Sequence, residues 1–349
     1  MFMVPYLGVR PRVGPDLDAA ADAAIIGRAV VGARCHLGVL ATLRADGHDI
    51  EIGDDGWFDD FSTVHIAHSV FPARVGHGVT VARHGLVHAC DLGDGVVVGE
   101  HALVMDHSRV GAGAVIAADS VVPPGKTLDG GWLHAGTPAK PVRQLSSDEL
   151  ASLHALLRGA QGSEDPALTA LVRSPRLVPP LHQRPGIGLP SRVARGSYIA
   201  PTASLAGNLA LGRGASLWFG VEIHGGGDLL IGDGSNVQDN TRVELALGER
   251  AQLGQRVTVG HNVRMGVCVI EDDAMIGMGS TVGAGTVVKA GGVIAAGAVT
   301  EPGTVVGIGE IWSGAPARLW KPVPEDNRRN FARGVEVYIE YAANYSKDL

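Results

Sequence analysis

Residues 75–122 read VGHGVTVARHGLVHACDLGDGVVVGEHALVMDHSRVGAGAVIAADSVV, and this stretch decides the fold. Its aliphatic residues Val75, Val81, Val87, Leu92, Val98, Val104, Val110, Ile116 and Val122 recur every six residues, with one five-residue step between Val87 and Leu92. A period of six is neither the 3.6 of a helix nor the alternation of a long strand. It fits short parallel strands wound into coils of three hexapeptides. Inward aliphatics then stack into one thin column, and each coil buries its apolar side only against its neighbours, so the stack needs caps at its ends. Gly76, Gly99 and Gly111 directly follow inward positions, where the chain must turn a corner.

The same series returns as Leu253, Val259, Met265, Ile270, Ile276, Val282, Val288, Ile294 and Thr300, with its five-residue step at the matching place. Aligning the halves gives an offset of 180 near Val31 and Leu211, 179 near Ile52 and Ile231, and 178 from Val75 and Leu253 onward. The chain is therefore a tandem duplication with small insertions or deletions. Each repeat region leaves through a similar exit, Gly136-Thr137-Pro138-Ala139-Lys140 and Gly314-Ala315-Pro316-Ala317-Arg318, followed by helical sequence. Ser146 and Glu149 form a capping box ahead of Leu150, Leu153 and Leu157. Phe331, Val335, Tyr338, Ala342 and Tyr345 make one helical stripe suited to packing along a solenoid. The expected organisation is a first β-helix with its helix over residues 1–159, a Pro-rich linker over 160–190, and a second β-helix with a C-terminal helix over 191–349.

Composition agrees. Of the 349 residues 50 are Gly and 19 Pro, a fifth of the chain against an average of about 12%. Hydrophobic residues still make up 45% while aromatics are only 5%, as tight turns around a narrow aliphatic core require. A net charge of −7, without long runs of either sign, argues against a nucleic-acid surface. Cys35, Cys90 and Cys268 lie far apart without a CxxC pair, so neither a disulfide framework nor a zinc ribbon is indicated. Cys90 and Cys268 fall at equivalent places and read as small buried apolar residues. With no signal-like N-terminus and no apolar run of about 18 residues, a soluble cytoplasmic protein is expected.

The hexapeptide rule resembles the left-handed parallel β-helix of trimeric acyltransferases and gamma-class carbonic anhydrases. The second half resembles the gamma-class carbonic anhydrase family through Ala200-Pro201-Thr202-Ala203-Ser204, Leu217-Trp218-Phe219-Gly220, Asn236-Val237-Gln238-Asp239, Val257-Thr258-Val259-Gly260-His261-Asn262 and Ile276-Gly277-Met278-Gly279. The first half resembles it through Leu43-Arg44-Ala45-Asp46, Val64-His65, Val87-His88-Ala89-Cys90 and Val121-Val122-Pro123-Pro124-Gly125-Lys126. The resemblance implies two tandem left-handed parallel β-helices, each followed by an α-helix. It also implies a homotrimer whose neighbouring subunits hold Zn2+, or Fe2+ or Co2+, with two histidines from one and a third from the other. Neutral imidazoles around such an ion leave an open position where water is acidified for attack on carbon dioxide.

Carried onto this chain, the first copy supplies His65, Arg83 and His88, and the second supplies Glu244, His261 and Gly266. Neither copy holds all three histidines; Arg83 would repel a metal and Gly266 offers no ligand atom. The losses are complementary, so a first-copy solenoid facing a second-copy solenoid would assemble His65, His88 and His261. A threefold assembly that stacks a ring of first copies on a ring of second copies would not mix them. His84, beside Arg83, offers a further arrangement with His65 and His88. Arg44 and Asp46 match the family's Arg-Gly-Asp step, which makes intersubunit ion bonds near the metal; an exposed salt pair is the alternative. Gln238 and Asp239 match its Gln-Asp pair, for which the first copy has Asp59 and Asp60. The functions to weigh are a metal-dependent, carbonic-anhydrase-like enzyme acting on a small molecule, an acyl-CoA-type acyltransferase or thioesterase with His84 or His88 as general base, and a non-catalytic assembly subunit.

Overall fold

The computed structural model describes residues 1–160, 165–176 and 192–348. The chain divides into two compact units, residues 1–179 and 180–349, each a left-handed parallel β-helix. In the first unit the predicted inward residues form three ladders of in-register partners: Val75–Leu92–Val110–Leu128, Val81–Val98–Ile116 and Val64–Val87–Val104–Val122. In the second, Leu253–Ile270–Val288–Val306, Val259–Ile276–Ile294 and Met265–Val282 do the same. All belong to the buried core of their own unit. Almost every rung presents one aliphatic to the column, with Phe58 below Val81 and Trp312 beyond Ile294 as aromatic rungs, so stacking fills it with little aromatic residue. Burial lifts the thiol pKa of Cys90 far above its ordinary value and that of Cys268 to about 12, so both act as small apolar residues.

Each unit carries the predicted helix packed along its coils. Helix α1 (Ser147–Leu157) starts at the Ser146/Glu149 capping box and buries Leu153, Leu156 and Leu157 on the outward residues Ala82, Val97, Val115 and Leu133. In the second unit α3 (Glu325–Asp348) buries Val335, Tyr338, Ala342 and Tyr345, with Phe331 half-buried. Tyr341 joins them, and Tyr338, Tyr341 and Tyr345 all meet the buried Trp218 edge-on at centroid distances of 5.3, 6.1 and 5.5 Å. Edge-to-face rings suit the aromatic quadrupole, so this cluster fixes α3 on the coil face. Among the described residues no helix is long and apolar enough to cross a membrane.

The stretch expected to be linker is not linker throughout. Asp165 caps α2 (Pro166–Val172), whose first residue is the proline that a helix start tolerates best. Leu168 and Val172 pack beside α1 in the first unit's apolar cluster. Pro179, Pro180, Pro185 and Pro190, also assigned to the linker, lie outside the described residues.

Candidate metal centre

Parallel coils put equivalent residues directly above one another, so a site on this fold is a column. In the first unit Arg44, within the long strand Thr42–Ile52, and His65 and His88, at the ends of the next two strands, are consecutive in-register partners. The imidazoles of His65 and His88 meet edge-on with centroids 5.2 Å apart, and both are buried. His65 Nδ1 lies 2.7 Å from the Arg44 carbonyl oxygen, which only accepts, so Nδ1 carries the proton and Nε2 the lone pair. That lone pair accepts from Arg44 Nη2 at 2.9 Å. Arg44 Nη1 donates to Asp46 Oδ2 at 2.6 Å, and both side chains are fully buried. The expected alternative of an exposed salt pair is therefore corrected: Arg44 and Asp46 form a buried pair on one strand, joined to the His65 ring.

His88 Nδ1 hydrogen-bonds the Asp106 carboxylate. Burial works against charge on Asp106, but the neighbouring His88 outweighs it and holds the carboxyl below its usual range. A ring nitrogen tied to a carboxylate fixes the tautomer and orients Nε2, as the outer partners of metal-binding histidines do.

The second unit holds the remaining candidates. His261 is buried with Nδ1 3.0 Å from Asp239 Oδ2. Asp239 Oδ1 accepts from the Phe219 amide at 3.0 Å, and Gln238 Nε2 donates to Asn236 Oδ1 at 3.1 Å. At the position of the Arg44–His65–His88 column this unit has His224 paired with Glu244, then Gly266, whose added Cβ would stand 3.0 Å from the Glu244 carbonyl oxygen. Glu244 is exposed and pairs with Arg242 at 2.7 Å.

The other candidates serve the first unit's corners. Asp60 Oδ1 accepts from the Val39 amide at 2.7 Å, the counterpart of the Asp239–Phe219 bond. Asp59 accepts from the Asp60 amide, and burial, with the Asp60 charge adding to it, raises its pKa to about 6. His84 takes a left-handed backbone (φ +55°), as its counterpart Asn262 does (φ +57°), and stacks between Phe61 and His101 at 4.8 and 4.9 Å. It stands in that corner stack, not in the His65–His88 column. Arg83 does not present a bare cation: its Nε and Nη2 bond Glu100 Oε1 at 3.0 and 2.8 Å. Sequence reasoning missed Asp106 and Glu100. Each lies about one coil beyond its partner, 18 residues after His88 and 17 after Arg83, and that spacing was the available signal.

No protein-family model matches the chain. It is 30% identical over 155 residues to protein YrdA of Escherichia coli, covering 43% of this chain and 84% of that protein. It is 32% identical over 145 residues to the mitochondrial gamma carbonic anhydrase 2 of Arabidopsis thaliana, across 40% of this chain and 52% of that protein. The chain belongs to the gamma carbonic anhydrase-like family of hexapeptide-repeat proteins. As a gamma carbonic anhydrase-like chain it is a tandem member, and each match accounts for less than half its length. A solved structure from Desulfovibrio desulfuricans, described as a candidate acetyltransferase, aligns with 98% of this chain and 84% of its own at a TM-score of 0.54 and 13% identity. That likeness is one of fold alone.

In this gamma carbonic anhydrase-like chain the buried imidazoles of His65 and His88 are ligands of the type that suits a divalent ion of intermediate softness. His65 and His88 each have Nδ1 hydrogen-bonded to an oxygen acceptor, which leaves Nε2 as the ligand atom of each ring, and in the second unit His261 Nδ1 stands 3.0 Å from Asp239 Oδ2. Arg44 Nη2 and a metal compete for the lone pair of His65.

Proposed function

We propose that the protein is a metal-dependent, carbonic-anhydrase-like enzyme, whose site is completed when a first-copy column supplies His65 and His88 and a second-copy solenoid supplies His261. The observation that carries this reading is the His65–His88 column, with both Nδ1 protons committed to oxygen acceptors. A divalent metal, zinc or else iron or cobalt, supplies when bound the Lewis acidity that makes water a nucleophile toward carbon dioxide at neutral pH. The chain's own residues do the rest. The Arg44 carbonyl and Asp106 hold the Nδ1 protons of His65 and His88, Asp239 orients His261, and the buried Arg44–Asp46 pair keeps the Arg44 guanidinium against the column. Gln238, buried among amides and hydroxyls, offers a polar group of the kind that steadies a reacting oxygen.

The test is carbon dioxide hydration by stopped-flow indicator assay on zinc- or cobalt-loaded full-length protein, beside His65→Ala, His88→Ala and His261→Ala. Each variant is expected to lose at least about a hundredfold in rate, because two remaining imidazoles hold a metal poorly. Hydration by wild type that all three variants retain would contradict the proposal.

A further inference from the structure

The copies diverge along one edge of the solenoid. In the first copy that edge carries Arg83, Glu100 and Asp119; the equivalent residues of the second are His261, Met278 and Gly297. Where the first copy lost the histidine, it gained a buried carboxylate and a strap to cover it. Glu100 is 1% exposed and accepts from Arg83, from Arg173 Nη1 at 2.8 Å and from the Ser174 amide at 2.8 Å. The bonding is reciprocal along the edge: the amides of Glu100 and Ala118 donate to the carbonyls of Val172 and Leu171, both at 2.8 Å. Ser174 Oγ donates to Asp119 Oδ2 at 2.8 Å, and Leu168 and Val172 are buried beneath. Residues 165–176 thus lie along the Arg83 edge inside their own unit. Among the described residues, nothing bonds to the amides of Met278 and Ala296, the second-copy counterparts.

A neighbouring solenoid and this strap would compete for the same edge. Displacing the strap would leave a buried carboxylate with two of its partners gone, which is strongly unfavourable. We infer that residues 165–176 are a selectivity device: they close the first copy's Arg83 edge, so that the His65–His88 column takes as its partner only a second-copy edge bearing His261. This inference rests on the three-histidine reading above. Its consequences are one three-histidine set per chain and no ring of first copies, so the simplest trimer of stacked rings does not form.

The experiment counts zinc in full-length wild type, His261→Ala, and His261→Ala combined with Arg83→His. His261→Ala is expected to fall to about a tenth of the wild-type content or less, and adding Arg83→His is expected to leave it there. If Arg83→His restores wild-type zinc, first-copy edges do pair with first-copy columns and the inference is overturned, while three-histidine binding stands. If wild type binds no zinc, or His261→Ala loses none, the reading beneath the inference fails and takes it along. Should the double variant not fold, hydrogen exchange on wild type decides: the amides of Glu100 and Ala118 should exchange at least about a thousandfold more slowly than open chain, unchanged on dilution. Rapid exchange at both would overturn the strap.

Discussion

At one register position the first unit stacks Arg44, His65 and His88, while the second stacks His224, Glu244 and Gly266. Beneath that position the two columns of aliphatics are nearly interchangeable, down to the shared five-residue step. The fold is held by what points inward and is indifferent to what stands at the coil ends. Chemistry there can therefore be lost, kept or converted into packing while the aliphatic column beneath stays the same. The first copy keeps the two-histidine half and has rebuilt its other edge as an anchor for the strap; the second keeps His261 with Asp239.

The anchor gives the largest expected difference between the copies. Glu100→Ala removes the shared acceptor of Arg83, Arg173 and the Ser174 amide and should destabilise the first unit by about 3 kcal/mol. Met278→Ala, at the equivalent place, should cost about 1 kcal/mol. Denaturant unfolding followed separately in each unit checks the contrast, and equal losses would remove the distinction between a clamped and an open edge.

Acid should separate the units next. His154 of α1 sits between Thr80 Oγ1 and the Gly95 carbonyl, and burial, with the Arg158 charge adding to it, lowers its pKa from 6.5 to about 4. The unfolded chain takes up a proton below pH 6.5 that the folded protein refuses until about pH 4. The His154 contribution to stability is thus full above pH 6.5 and falls as the pH drops toward 4, by at most about 3 kcal/mol. The tyrosine-lined packing of α3 on Trp218 carries no such group, so the stability of the first unit in wild type relative to His154→Gln should fall by that amount from pH 6.5 to 4, with the second unit unaffected by the substitution. A difference between wild type and variant that stays constant over this window would contradict a buried, neutral His154.

A smaller effect tests the Asp59/Gln238 pair of equivalents. Asp59 is held at a pKa of about 6 when folded and titrates near 3.8 when unfolded, so its ionisation favours the unfolded state above pH 6. Asp59→Gln should therefore stabilise the first unit by about 2 kcal/mol at pH 8, with the gain shrinking to nothing as the pH falls to about 4. Calorimetry at the two pH values reads it; a gain that is the same at both would mean the effect is packing and not charge.

Much of this was legible before any coordinates. One aliphatic in six names the coil, and the duplicated step at Val87–Leu92 and Met265–Ile270 names the tandem. Single-residue spacing, however, does not show which neighbour a side chain meets one coil later. Asp106 lies 18 residues past His88 and Glu100 17 past Arg83, and both were passed over because no linear motif joins them. Arg83 read as a cation set against a metal; its charge goes to Glu100, and the guanidinium that touches a column histidine is that of Arg44. The strap was hidden for a compositional reason. Its prolines resemble a linker, yet Pro166 opens a helix and Leu168 and Val172 supply the apolar side that docks it.

We propose, then, that the two copies each keep part of one metal site. Elemental analysis of anaerobically purified wild type, His65→Ala and His261→Ala tests it most directly. About one zinc, iron or cobalt per wild-type chain is expected, with its loss from both variants to about the same extent. Metal lost from His65→Ala but retained in His261→Ala would contradict it.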